Sequence, residues 1–403
     1  MSRIICMNLP AFGHVNPHLA VVKALTQSGA EVVFYTHPRF KTRINSSGAE
    51  FLPYPVPTQV NMFQQRNIFR MARCLSDFGR KVIPALRAEV AGQQADLIMY
   101  DVGCVWGKVV AKELGLPSVA SCPILVPDGA AWSYWHRMLP RYLSALWEGK
   151  RDLYAFKKNA RHFERQYGLE GYSIRSAFHN PADLNLVYTS KLFQPSFERV
   201  PENYAFVGPV VDMDRDEEES LPDEINTDQP IVYISLGTVA STDRIPIYQA
   251  LFKAFHDLPV QLVVSTGGLT DFSSLGTIPA NFLLKDHISQ LAVLRVASAF
   301  VTHGGANSVH EGLLFNLPLL VIPQTFEQTL NALTVHETGT GLYLGSRLPS
   351  AEAMRKALQQ LLESKTFQKR IHEMKESFLS AGGAEEAARL VHEVIEKGAT
   401  SKK

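Results

Sequence analysis

The sequence predicts an α/β fold built from two Rossmann-like, doubly wound parallel-sheet domains. Three observations carry that expectation. Short β-branched or apolar runs alternate with segments of helical period in both halves of the chain, the pattern of parallel strands covered by helices. At 403 residues the chain exceeds one ordinary core, and about 150 residues per domain suggests two or three, of which two is taken. Finally, residues 212–230, DMDRDEEESLPDEINTDQP, are acidic, proline-bearing and without apolar period, the composition of a linker.

In the first domain, residues 1–211, strands are expected at IICMNL, EVVFY, DLIMYD, SVAS and DLNLVYTS. The first of these runs into PAFGHVNPHLA, residues 10–20, where His14 stands between Gly13 and the pair Asn16-Pro17. Asn16 can cap a helix whose first position is Pro17, because the N–H that proline lacks is unpaired there anyway. Gly29 closes that helix, and Leu19, Val22 and Leu25 give it one apolar face. His14 is thus expected on a strand-to-helix loop. The second domain, residues 231–385, repeats the scheme with IVYISLGT, VQLVVS, NFLLK, AFVTH, LPLLVIP and GLYL. The chain closes with GGAEEAARLVHEVIEKG, whose helix, residues 386–403, is expected to return to the first domain. Ligands of open parallel sheets bind beyond the carboxyl ends of the strands, so two such domains are expected to face each other across a cleft with His14 at its edge.

Bulk properties narrow the partners. The formal charge is +1, from 40 basic and 39 acidic residues spread along the chain, which lacks the electrostatic footprint of nucleic-acid binding. Cys6, Cys74, Cys104 and Cys122 are scattered without the paired spacing of a metal site and read as reduced core residues. The start of the chain makes a poor secretion signal, and no apolar stretch approaches the roughly 20 residues that span a bilayer. A cytoplasmic protein without stable membrane insertion is expected.

The segment most informative about chemistry is FVTHGGANSVHEGLLFNLPLLVIPQTFEQ, residues 300–328. A strand is expected to end at His303, two glycines follow, and a helix starts near Ala306. Unpaired N–H groups and the helix dipole make such a start a phosphate site, and Gly304 and Gly305 permit close approach. Asn307 and Ser308 add side-chain donors. Glu311 falls on the same helix face one turn later, where a carboxylate suits two vicinal hydroxyls. A bare HGG is a tight turn of the kind any α/β domain contains; Asn, Ser and Glu at fixed offsets, with Glu327-Gln328 after the next strand, give it a chemical meaning.

With these residues in place, the chain resembles the nucleotide-diphosphate-sugar glycosyltransferases of the GT-B fold, and most of all the bacterial macrolide-type UDP-glycosyltransferases. The resemblance runs nearly end to end through NLPAFGHVNP, ADLIMYD, FVGP, ISLGT, HGGANSVHEG, PQTFEQ and GGAEEAA. It implies His14 as catalytic base with Asp101 paired to it. It implies His303, Gly304, Gly305, Asn307 and Ser308 on the diphosphate, Glu311 on the ribose, and Glu327 with Gln328 on the sugar hydroxyls. Thr238 and Asn16 are similar to further donor contacts. In KDHISQ, His287, Ile288 and Gln290 occupy the place where the family holds uracil, although many relatives carry proline where Ser289 stands.

The chemistry follows. A neutral His14 can take the proton of an acceptor hydroxyl while that oxygen attacks the anomeric carbon, and Asp101 would orient the ring and stabilise the imidazolium. The leaving diphosphate gains charge that the helix start near Gly305 meets, so no metal or other cofactor is expected beyond UDP-glucose as co-substrate. Direct displacement inverts the anomeric carbon. The retaining pattern of two glutamates eight apart fails, since Leu319 stands at that distance from Glu311.

For the acceptor, Trp106, Trp132, Trp135 and Trp147 cluster in sequence, and Met62 and Phe63 open a second aromatic stretch. Together with Phe12 they suggest an apolar site for a small hydrophobic hydroxyl compound such as a polyphenol, flavonoid or macrolide. The expected function is inverting transfer of a hexose, glucose first, from UDP-sugar to that hydroxyl. Two alternatives stand beside it: glucosylation of a membrane lipid, and nucleotide-sugar epimerisation on the same fold. A dinucleotide oxidoreductase is excluded because AFGHVNP has one glycine where the G-x-G-x-x-G fingerprint needs three.

Overall fold

A computed structural model describes residues 2–58, 65, 67–213, 221–237 and 244–401, with the side chains at 128–133, 135, 400 and 401 left out. The chain divides into two compact units, Met1–Val210 with Leu379–Lys403, and Val211–Phe378.

In the first unit the chain runs β1 (Arg3–Met7), α1 (Phe12–Gln27), β2 (Glu31–Thr36), α2 (Lys41–Ser46), β3 (Glu50–Pro53), α3 (Ile68–Ala91) and β4 (Leu97–Asp101). It continues through α4 (Val105–Leu114), β5 (Ser118–Cys122), α5 (Pro127–Tyr167), α6 (Ile174–Phe178), β6 (Leu184–Val187) and β7 (Tyr204–Phe206). Among the described residues these strands form one sheet of order β3-β2-β1-β4-β5-β6-β7, parallel at every pairing. Successive side chains of a strand point to opposite faces, and β1 shows the result. Ile5 and Met7 join a core with residues of α3, α4 and α5 on one face, while Ile4 and Cys6 join a core with residues of α1 on the other. A strand apolar on both faces belongs in the middle of a sheet covered twice.

The second unit contains β8 (Ile231–Ser235), α7 (Ile245–Phe255), β9 (Gln261–Ser265), β10 (Phe282–Lys285), α8 (Gln290–Leu294), β11 (Ala299–Thr302) and α9 (Ala306–Leu314). Then come β12 (Leu319–Val321), α10 (Phe326–Glu337), β13 (Gly341–Tyr343), α11 (Ala351–Glu363) and α12 (Lys365–Leu379). Its sheet has the order β10-β9-β8-β11-β12-β13, also wholly parallel. In both sheets the chain order reverses beside the first strand, at β1/β4 and β8/β11, the switch points where such sheets bind ligands.

The last helix, α13 (Gly383–Ser401), counts with the first unit. Its Ala387, Ala388 and Val391 are buried in the same core as Val15, Val21 and Val22 of α1. His392 Nε2 and Ser28 Oγ lie 2.8 Å apart, and the Gly383 N–H donates to the Val207 carbonyl at 2.7 Å. The described part of the acidic 212–230 stretch belongs to the second unit. Glu224 there pairs with Lys285 at 2.7 Å, and its carbonyl accepts from Gln261 Nε2.

Two edge strands were not expected from sequence, β3 and β7. Several local readings are corrected as well. Asn16 and Pro17 do not begin α1: its N-cap is Ala11, and both lie inside the helix. His14 therefore sits in the first helical turn and not on a loop. The end at Gly29 does hold, through Gly29 N–H to Thr26 O and Ala30 N–H to Leu25 O, the paired bonds of a Schellman ending. β11 stops at Thr302, one residue before His303.

Candidate active site

The first unit assembles a histidine–carboxylate pair from two neighbouring strands. β1 and β4 are adjacent and in register, Met7 opposite Tyr100, so Asp101 ends β4 where the chain leaves β1 toward α1. The first turn of α1 passes over that strand end, and His14 Nδ1 meets Asp101 Oδ2 at 2.6 Å. Asp101 is fully buried, which a carboxylate tolerates only when its oxygens are engaged. Its Oδ1 accepts from the Gly103 N–H at 2.8 Å. With Nδ1–H donating to the carboxylate, the imidazole lone pair resides on Nε2, the atom that can take a proton.

Behind the pair lies Asn8, a buried residue that sequence reading passed over. Its Nδ2 donates to the His14 carbonyl at 3.3 Å and lies 2.8 Å from His18 Nδ1. Its own carbonyl accepts from Tyr54 and Thr36. Proline at 17 removes one i→i−4 bond from this turn, and Asn8 supplies a cross-link at the same place. Burial lowers the His18 pKa to about 4, against a smaller opposite effect of Asp101, so this second histidine is a neutral packing group.

In the second unit, the turn from β11 into α9 is as tight as its glycines imply. Gly304 has φ +84, and a Cβ there would stand 2.6 Å from Val321 Cγ1. Its carbonyl is held by buried Asn331 Nδ2 at 2.8 Å. Gly305 is the N-cap of α9 and has no side chain to cap with, so no cap side chain occupies the first N–H groups of α9, which can therefore meet an anion. Half-buried Asn307 and Ser308 stand in that first turn. The His303 ring lies against Gly237 and Gly305, where a Cβ would come within 2.9 and 2.6 Å of Nε2. Burial and the nearby Arg244 guanidinium lower its pKa to about 4. At neutral pH His303 therefore offers a phosphate a hydrogen bond and not a full positive charge.

Glu311 is buried one turn into α9, and Gln290 Nε2 donates to its Oε2 at 2.6 Å, which joins α8 to α9 through two of the expected donor residues. Ile288 is buried beside the start of α8 and His287 is exposed. Gln328 also serves the fold, because with Thr325 it forms the capping box of α10, its Oε1 accepting from the Thr325 N–H at 3.1 Å. Glu327 is half-buried in the same turn. Arg244, which donates to the Gly237 carbonyl at 2.7 Å, had no sequence signal.

Of the tryptophans that cluster in sequence, the two whose side chains are described do not share one site. Trp106 is wholly buried and packs edge-on against Tyr54 and Phe78, whereas Trp147 is 77% exposed. Phe12 is packed edge-on against Phe40, with the Arg39 and Arg43 guanidiniums 5.0 and 5.3 Å from its ring. Asn16 Oδ1 accepts from Arg43 at 3.2 Å. Met62, Phe63 and Thr238, and the side chains of Trp132 and Trp135, lie outside the described residues.

The chain is similar to known proteins along nearly its whole length. Residues 253–394 match the erythromycin biosynthesis protein CIII-like C-terminal domain, and residues 11–114 match the glycosyltransferase family 28 N-terminal domain. The chain is 32% identical to the NDP-glycosyltransferase YjiC of Bacillus subtilis (strain 168) over 98% of both chains. It is 28% identical to the oleandomycin glycosyltransferase of Streptomyces antibioticus, over 97% of this chain and 90% of that one. Among solved structures it is similar to the kitacinnamycin glycosyltransferase, with TM-score 0.84, 25% identity and coverage of 98% and 99%. The calicheamicin glycosyltransferase aligns with TM-score 0.77 at 25% identity, covering 98% of each chain.

Proposed function

The chain belongs to the bacterial macrolide-type UDP-glycosyltransferases, and within that family we propose that it transfers glucose from UDP-glucose, with inversion, to a hydroxyl of a small hydrophobic acceptor. It is a glycosyltransferase of the natural-product type. The observation that carries the finer reading is the 2.6 Å contact between His14 Nδ1 and Asp101 Oδ2. That contact sets the tautomer in which Nε2 is basic, and the acceptor hydroxyl loses its proton to Nε2 as its oxygen attacks the anomeric carbon. Asp101 stabilises the imidazolium that results.

The start of α9 receives the diphosphate, whose growing negative charge is met by main-chain N–H groups, the helix dipole and the His303 N–H. Gln290 fixes the Glu311 carboxylate for the ribose hydroxyls, and Glu327 with the amide of Gln328 faces the sugar. Ile288 and His287 flank the base, and Thr238 adds a donor contact. Charge neutralisation by these groups leaves nothing for a metal to do.

The test is a mass-shift screen of UDP-glucose against phenols, macrolides and sterols, with the anomeric configuration of any product read by NMR. His14→Ala is expected to lower turnover by about 10²–10⁴-fold with UDP affinity unchanged. Glu311→Gln is expected to weaken UDP binding instead. Substantial turnover in His14→Ala removes the base assignment, and an α-linked product removes inversion.

A further inference from the structure

The helix α5 is 41 residues long, and large apolar side chains stand on its exposed side as well as on its packed one. One packs inward: Met138, Phe156, Ala160 and Phe163 are buried, and Asn159 bonds Ser76 and Asp77 of α3. A helix with one packed face ordinarily shows polar residues on the other. Here Leu139, Leu143, Trp147 and Tyr154 follow one another at spacings of four, four and seven, which at about 100° per residue keeps them on one line opposite the packed face. They are 37%, 55%, 77% and 79% exposed. Single exposed apolar residues need no explanation, but a row in register does.

The same line carries cations. The Lys150 ammonium lies 4.9 Å from the Trp147 ring centroid, and Lys157, Lys158, Arg161 and Arg165 continue along it, all exposed. None of these five forms an ion pair among the described residues, where the acids of the helix are engaged elsewhere or stand at the border. Asp152 pairs with Arg70 and Arg73 of α3, Glu148 accepts from Ser144, and Glu164 flanks the row.

We propose that this outer face of α5 is a docking surface for an anionic lipid bilayer. Leucines and an indole enter the headgroup boundary, the Tyr154 hydroxyl stays at the interface, and the cations meet lipid phosphates. From residue 139 to 165 the helix runs roughly 39 Å, ample length for a helix lying in the membrane plane. Adsorption of this kind needs no spanning segment, and no helix among the described residues is long and apolar enough to span. Charge favours the bilayer over a second copy, since lipid phosphates can meet all five cations at once while a second copy brings as many cations as it covers. The consequence is access to hydrophobic hydroxyl compounds dissolved in membranes, and the surface stands whether or not His14 is the base.

The test is flotation of the full-length protein with vesicles of phosphatidylcholine alone or mixed equally with phosphatidylglycerol. Binding to the anionic vesicles is expected to be roughly tenfold or more the greater, and to fall away at high salt. It is expected to be lost both in Trp147→Ala/Tyr154→Ala and in Lys157→Glu/Lys158→Glu/Arg161→Glu. Both variants are expected to keep the parent's melting temperature and its turnover of a water-soluble acceptor. Equal or absent binding to the two vesicle types overturns the proposal, as does anionic binding that survives both variants. So does a dimer in sedimentation that the same substitutions dissolve, which would give the face to a second copy.

Discussion

At the scale of single residues, the hydrogen bond between His14 and Asp101 concentrates most of the proposed chemistry. Asp101→Asn keeps the shape and the oxygen that accepts from Gly103, yet removes the charge that stabilises a protonated ring. The amide can also turn its NH2 toward Nδ1 and select the wrong tautomer. Turnover is expected to fall by about 10²–10⁴-fold while UDP affinity, measured by calorimetry, stays at the parent value. A variant that loses UDP affinity and turnover together would make Asp101 a folding residue. Asp101 stood out because it ends an apolar strand, and His14 because it stands among punctuating residues after one, although it lies in the first turn of α1 and not at a strand end. Asparagine before proline reads as a cap, whereas the helix starts one turn earlier at Phe12, its first bonds running from the His14 and Val15 N–H groups to the Ala11 carbonyl. Asn8, Arg244 and Asn331 were illegible. Their hydrogen bonds reach distant residues or main-chain carbonyls, and nothing local marks such a partner.

At the scale of elements, the turn between β11 and α9 leaves no room for a side chain at Gly304. Gly304→Ala meets two costs, the left-handed backbone, worth about 1–2 kcal/mol, and a Cβ 2.6 Å from Val321 that packed surroundings cannot absorb. Gly345 separates the two, since its φ is +72 and a Cβ there meets nothing within 4 Å. Thermal melts are expected to show a modest loss for Gly345→Ala and a larger one for Gly304→Ala, with UDP binding impaired only in the latter. Equal losses would mean that the cradle has slack. The central strands were readable because burial on both faces demands continuous apolar runs. β3 and β7 escaped because edge strands need neither: β3 is EFLP, four residues ending in proline, and β7 is three residues long. The capping box of α10 was hidden for the opposite reason. Gln328 had a functional reading that made its structural one easy to overlook.

At the scale of the whole molecule, each unit buries a histidine whose neutrality couples its stability to acid. His18 in the first unit is held near a pKa of about 4 and His310 in the second near about 3, in both cases chiefly by burial. In an unfolded chain either ring titrates near 6.5. Above that pH neither state holds the proton, and the pair leaves stability unaffected. Between about 6.5 and 4 the unfolded chain binds protons that the folded one refuses, so stability falls as pH falls, by about 1.4 kcal/mol per unit for each ring. Below the folded values the native state takes the protons too, and this loss ends. Carboxylates titrate mostly below pH 5, which isolates the histidines in the window from 7 to 5. Melting temperatures are expected to drop steadily across that window, and His18→Gln is expected to flatten the part of the drop that belongs to the first unit. A flat profile in the parent protein would mean that these rings accept protons while folded. The same acid step would loosen the turn of α1 that carries His14, because Asn8 bonds the neutral His18 ring and the His14 carbonyl at once. Turnover is therefore expected to decline in acid before UDP binding does.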